Sequence, residues 1–305
     1  MRKWFKKLLS CWEVKQDVRD SKSNLRQNPH LKVVYKKDTS LVLGCFSVLT
    51  KGKKKVLNWK GNELVIENKP FQIRKELSRI EKEAKKANKS VTKYLDDTIK
   101  LRKASKFVSE YLQLRKKYLA LSKRQLYALW DDTNIVSREV LSEKELFNLY
   151  FKYFNKYLRR SKKGNKLKSR LEGRNFAEFE IKRFDDNGKL VERTLELSHS
   201  GPDRIDTDFL DVVTDSKFLR NVEDFEGVRR GLDSEVRFIY NFIQEHLPKK
   251  GTFEITTKNI FIACDSCKRE LLMLQELIKD RGTIKVVSVD TIKGTRDLKN
   301  YLRIK

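Results

Sequence analysis

Between Gly61 and Gly164 the chain contains no glycine and only one proline, Pro70. Those two residue types interrupt helices most strongly, so the stretch from Phe71 onward is free to run as helix over a long distance. Its apolar positions agree. Ile73, Leu77, Ile80, Ala84, Ala87, Val91 and Tyr94 follow one another in alternating steps of four and three. That spacing puts them on one helical seam and predicts a coiled coil or long helical hairpin across 73–94, open to self-association or a protein partner. A helix packed on its own domain explains the same spacing. A second helical block runs from Phe107 through Leu112, Tyr118 and Leu126 to Trp130, and the run from Asp131 to Asn134 ends it with capping residues. A third is expected from about Ser142 to Arg160, because Ser142-Glu-Lys-Glu145 has the spacing of a capping box.

The flanks read as strand. Leu31 to Tyr35, Ser40 to Gly44, Val56 to Trp59 and Glu63 to Glu67 are short β-rich runs punctuated by Gly52 and by Gly61-Asn62, which predicts a small amino-terminal sheet. Beyond the helices the period changes to two, with Phe176 to Phe184 and Leu190 to Leu197 joined by Asp185-Asp-Asn-Gly188, a strong hairpin signal. A helix is expected from Asp233 to about His246, a strand from Gly251 to Ala263, a helix from Lys268 to Lys279 and a strand from Thr283 to Val289. The last three make a crossover unit with two parallel strands. The expected fold class is α/β, with a basic segment of short strands over 1–69, a helical region over 70–165 and an α/β domain over 166–305.

Charge separates these parts. The chain carries 69 Lys+Arg against 42 Asp+Glu, a net charge of +27. Residues 1–200 hold 50 of these basic side chains against 24 acids, and residues 201–305 hold 19 against 18. A polyanion partner, DNA or RNA, is therefore expected at the front half. The densest basic run is Arg159, Arg160, Lys162, Lys163, Lys166, Lys168 and Arg170, following a helix that carries Phe147, Tyr150, Phe151, Phe154 and Tyr157. Cations for phosphates beside rings for unstacked bases suit single-stranded nucleic acid. The three- and four-residue spacing of the rings suits a core face as well.

The longest apolar run, Leu41 to Leu49, falls far below the roughly 20 residues of a spanning helix, so no transmembrane segment is expected. Residues 1–12 have too short an apolar stretch for a signal peptide. They read as a frayed basic end or a short amphipathic helix on a membrane surface. Four cysteines, Cys11, Cys45, Cys264 and Cys267, are too few for a disulfide scaffold and point to a reducing compartment. The expected location is cytoplasmic or nucleic-acid-associated, with export by a route that needs no signal peptide as an alternative.

The chemistry concentrates in two short motifs, Asp233-Ser-Glu235 and Cys264-Asp-Ser-Cys267, each at the start of an expected helix. Two cysteines on one helical turn, beside exposed N–H groups, favour thiolate and suit metal. With an acid from the neighbouring helix they can hold zinc through three protein groups and leave a fourth position open. Taken singly, Asp233 reads as a helix cap and Glu235 as a first-turn acid, while a Cys-x-x-Cys between strand and helix also suits a redox pair. The histidines, His30, His199 and His246, are isolated in the sequence; only His199 is expected to approach the pocket, and not as a ligand.

Acid-x-Glu at one helix start, then a strand, then Cys-x-x-Cys at the next helix start and a parallel strand, resembles the zinc-dependent nucleoside and nucleic-acid deaminases, whose usual signature is His-x-Glu followed by Pro-Cys-x-x-Cys. The wording here, with Asp233 in the His position and Ala263 in the Pro position, is similar to a bacterial toxin-type branch. The resemblance covers roughly residues 170–305. It implies a three-layer deaminase-like sheet with flanking helices, Zn2+ held by Asp233, Cys264 and Cys267, and Glu235 as the catalytic proton shuttle. The strand ending at Val289 comes close to the end of the sequence, so a further strand common in the family is expected to be missing. The implied function is hydrolytic deamination of a nucleobase, most readily cytosine in DNA or RNA, with a toxin or effector role in view. The alternative is a non-catalytic nucleic-acid-binding protein with a structural or vestigial zinc site.

Overall fold

A computed structural model describes residues 30–33, 46–51, 54–59, 62–67, 70–158, 174–202 and 208–289. The chain divides into two compact units, Met1–Arg102 and Lys103–Lys305. The sequence reading divides it instead at 69/70 and 165/166.

In the first unit β1 (His30–Val33), β2 (Phe46–Lys51), β3 (Lys54–Trp59) and β4 (Asn62–Glu67) form an antiparallel meander. Helix α1 (Pro70–Lys86) opens on Pro70, where a missing N–H costs no intrahelical bond. The expected single seam over 73–94 does not continue through one helix. Asn88 takes a positive φ of 51°, and the Ser90 hydroxyl accepts from the N–H of Lys93, so the chain restarts as α2 (Val91–Leu119). Glu83 accepts from the Tyr94 hydroxyl at 2.5 Å across this turn, and Ile80, Ala84 and Leu95 are buried. Trp59 is buried too, its indole N–H donating to Asp96 at 3.0 Å.

The second unit starts within α2 and continues through α3 (Lys123–Asp131), β5 (Ser137–Val140) and α4 (Glu143–Leu158). The expected capping box opens α4: the Ser142 hydroxyl accepts from the Glu145 N–H and the Glu145 carboxylate from the Ser142 N–H. The seven cations of the 159–170 run lie outside the described residues. The hairpin β6 (Phe176–Phe184) and β7 (Leu190–His199) follows, with Gly188 at φ 77° in its turn. Then come α5 (Ser216–Leu219), α6 (Ser234–Asn241, prolonged by a π-helical turn to His246), β8 (Thr252–Asn259), α7 (Asp265–Ile278) and β9 (Gly282–Ser288).

These strands make one mixed sheet in the order β5-β9-β8-β6-β7, antiparallel in the hairpin and between β6 and β8, parallel from β8 through β9 to β5. The place beside β9 is thus filled by β5, a strand that precedes the hairpin and carries no apolar alternation to announce it. Both faces of the sheet are used, as the pleat requires. Ala177, Phe179 and Ile181 of β6 and Ile284 and Val286 of β9 join the core formed with α6 and α7, where Phe179 stacks on Phe238 with centroids 3.9 Å apart. Phe176 and Val287 turn the other way, onto Leu146 and Leu149 of α4. The result is a mixed α/β domain with a five-stranded sheet and flanking helices. It brings the amino-terminal ends of α6 and α7 side by side.

Candidate metal centre

Asp233 stands at the cap position of α6 in extended backbone (φ −71°, ψ 151°), yet its side chain makes no capping hydrogen bond. Its Oδ2 instead accepts from the thiols of Cys264, at 3.4 Å, and Cys267, at 3.3 Å. The carboxylate has left the role a helix cap would give it. Cys264 is itself the cap of α7, its sulfur accepting from the Cys267 N–H at 3.3 Å, and the two sulfurs are 3.2 Å apart. The three donor atoms lie within 4.8 Å of one another and form the one possible metal-binding group found among the described residues.

A tetrahedral zinc with bonds of about 2.3 Å to sulfur and 2.0 Å to oxygen separates sulfurs by roughly 3.8 Å and sulfur from oxygen by roughly 3.5 Å. The sulfur–oxygen edges, 3.4 and 3.3 Å, come close to this, and the sulfur–sulfur edge, 3.2 Å, is shorter by about 0.6 Å. Two soft sulfurs and one carboxylate are a donor set that zinc accepts. The neighbouring Cys264 and burial push the Cys267 thiol well up, and burial raises the Asp233 carboxyl.

Glu235, in the first turn of α6, is 1% exposed. Its carboxylate accepts from the Ser234 hydroxyl at 2.7 Å and from the Asn175 side chain at 3.3 Å. Burial, then the charge of Asp233, raises its pKa, so its proton is held more tightly than that of an exposed glutamate. The Cys267 thiol faces it from the metal-ligand side. Asn175 was not singled out in the sequence, and nothing around it marks it. It sits just before β6 and ties three elements together, donating to Ser234 at 2.9 Å and accepting from the Phe261 N–H at 3.3 Å.

His199 is fully buried but outside the cluster; its Nδ1 bonds the Ser200 carbonyl and its Nε2 meets Arg237 at 3.1 Å. His246 pairs with Glu196 at 2.7 Å. The rim of the centre is mixed. Tyr127 donates to Asp265 at 2.6 Å with Lys268 4.0 Å above its ring, and the turn over 222–230 exposes Phe225 and Val228 while Arg230 pairs with Asp224 at 2.8 Å. Neither the Tyr127 ring nor this turn was visible as a site feature in the sequence, because tertiary approach alone makes them neighbours. Comparison of the chain with protein-family models, with curated proteins and with solved structures returns no match.

Proposed function

We propose that the carboxyl-terminal unit is a zinc-dependent hydrolytic deaminase of nucleobases, acting most readily on cytosine in DNA or RNA. The observation that carries the reading is the convergence of Asp233, Cys264 and Cys267 with a buried carboxylate, Glu235, two residues from one of the ligands. The order of elements supports it as well: a hairpin, then a helix bearing the acid pair, a strand, a helix bearing the cysteines and a parallel strand, with β5 in the outer position.

Asp233, Cys264 and Cys267 would hold the metal, which when bound supplies the polarisation that makes water a nucleophile near neutral pH. Glu235 would act as the proton carrier twice, passing one proton from water to the ring nitrogen and a second from the hydroxyl so added to the departing amine, so that cytosine and water become uracil and ammonia. Ser234 and Asn175 fix the Glu235 carboxylate through hydrogen bonds, which spares the reaction the cost of orienting it. The net charge of +27 supports a polyanionic substrate.

One observation favours a second reading, a structural zinc site in a non-catalytic nucleic-acid-binding protein. An Asp and two Cys bring three negative charges to a divalent cation, one more than a His and two Cys, and so weaken its polarising power. Both readings meet in one experiment. Wild type and Glu235→Ala are incubated with single- and double-stranded DNA and RNA, and the products are sequenced. Base changes made by wild type and lost with Glu235→Ala support the deaminase; identical, unchanged products with zinc bound to both proteins overturn it in favour of the structural site.

A further inference from the structure

A second concave site lies at the other end of the sheet. A cavity of about 500 Å³ is lined by Lys103, Lys106, Phe107, Lys249, Lys250 and Arg281, with Asp186 the one acid in its wall. That volume is in the range of a ligand pocket. Lys103, Lys106 and Phe107 are spaced three and four apart on α2 and so share one helical face. Lys249 also bonds Glu192 at 2.7 Å and Lys106 reaches Glu110 at 3.7 Å. Among the described residues no carboxylate pairs with Lys103, Lys250 or Arg281.

The loop that carries Lys249 and Lys250 is built, not merely exposed. Arg281 donates to the carbonyls of Leu247, Lys249 and Gly251, at 3.1, 2.5 and 3.0 Å, and its guanidinium stacks over Phe253 at 5.3 Å. Gly251 has φ +101°, and a Cβ there would fall 1.9 Å from the Phe184 carbonyl oxygen. Only glycine closes this turn. A fixed loop therefore presents two lysines toward the two on α2, around a partly exposed phenylalanine ring. Convergent cations beside an aromatic surface suit phosphate groups with a base attached.

We infer that this pocket binds backbone phosphates of a single-stranded nucleic acid. It opens at the start of β8, and Cys264 follows the far end of that eight-residue strand, five residues beyond Asn259. At about 3.3 Å per residue the strand alone puts roughly 26 Å between the two sites. A free nucleotide cannot touch both; a polymer can. The identification of the polymer as the substrate rests on the deaminase reading, whereas its binding by the pocket does not.

The test is the salt dependence of binding of a labelled 15-nucleotide single-stranded DNA to the full chain, read by fluorescence anisotropy. Each phosphate contact to a single strand adds about 0.7 to the slope of log K against log salt. Lys103→Ala with Lys250→Ala should make that slope shallower by about 1.4. A control with the same loss of charge, Lys182→Ala with Lys285→Ala, removes lysines paired to Glu254 and Glu139 on the sheet and should leave the slope unchanged. An unchanged slope in the pocket variant, or equal changes in both, overturns the site. So does calorimetric binding of inorganic tripolyphosphate that needs Lys103 and Lys250 while oligonucleotide binding does not, since the pocket then serves a small polyphosphate. Deamination is scored separately, so a phosphate pocket on a protein without activity is distinguishable from a failed pocket.

Discussion

Asp233, Glu235, Cys264 and Cys267 were legible as a group because each motif is local in sequence and each begins a helix whose periodic apolar face is plain. What the sequence does not carry is the second layer around them. Asn175, Tyr127 and Arg230 reach the centre from three separate segments, and no local pattern distinguishes an asparagine before a strand from any other loop asparagine. Tyr127 gives this layer a measurable signature. Burial and its bond to Asp265 raise its phenol to about 12, against about 10 for a free tyrosine. A raised folded-state pKa stabilises while the group is protonated, so the contribution is whole below pH 10 and fades as pH rises through 12. The stability advantage of wild type over Tyr127→Phe, measured by urea unfolding, should therefore shrink between pH 10 and 12. A constant difference across that window would mean that the Asp265 bond does not hold the phenol.

Among the elements, the hairpin, α6, β8, α7 and β9 follow the apolar periods closely, whereas β5 and the break between α1 and α2 do not. β5 has four exposed residues, Ser-Arg-Glu-Val, and becomes a strand because the edge of β9 offers it backbone partners. The break at Asn88 depends on one residue accepting positive φ, a signal too small to outweigh a seam that continues in phase on either side. The joint between α2 and α7 was equally hidden. Arg115 and Glu270 are 2% and 1% exposed and meet at 2.6 Å, with the Tyr111 hydroxyl donating to Glu270 and the guanidinium also donating to the carbonyls of Phe218 and Arg220. Removing one partner strands a buried charge. Glu270→Ala should cost about 3–5 kcal/mol in urea unfolding, and Arg115→Met with Glu270→Leu should recover a large part of it. A loss below about 1 kcal/mol for Glu270→Ala would show that water reaches Arg115 and that the pair does not lock the helices.

At the scale of the molecule, the division at Arg102 sets a basic, sheet-and-helix unit apart from the unit that carries both the metal-ligand cluster and the phosphate pocket. No helix among the described residues is long and apolar enough to cross a membrane. The cluster joins two helices that the backbone alone does not bond to each other, so a metal there acts as a cross-link between α6 and α7 and couples to the stability of the whole second unit. A ligand at 100 times its dissociation constant stabilises the folded form by about 2.7 kcal/mol. For a unit of about 200 residues, each kcal/mol moves the melting temperature by roughly 2–4 °C, so stripping zinc with a chelator should lower the calorimetric transition of this unit by about 5–10 °C. Restoring one equivalent of Zn2+ should return it, and Mg2+, which prefers oxygen ligands, should not. Cys267→Ser removes a ligand while keeping nearly the same volume, so its transition should sit near that of the stripped wild type and respond to neither chelator nor zinc. Equal responses of wild type and Cys267→Ser to zinc would place the metal elsewhere in the chain and dissolve the case for Asp233, Cys264 and Cys267 as its ligands.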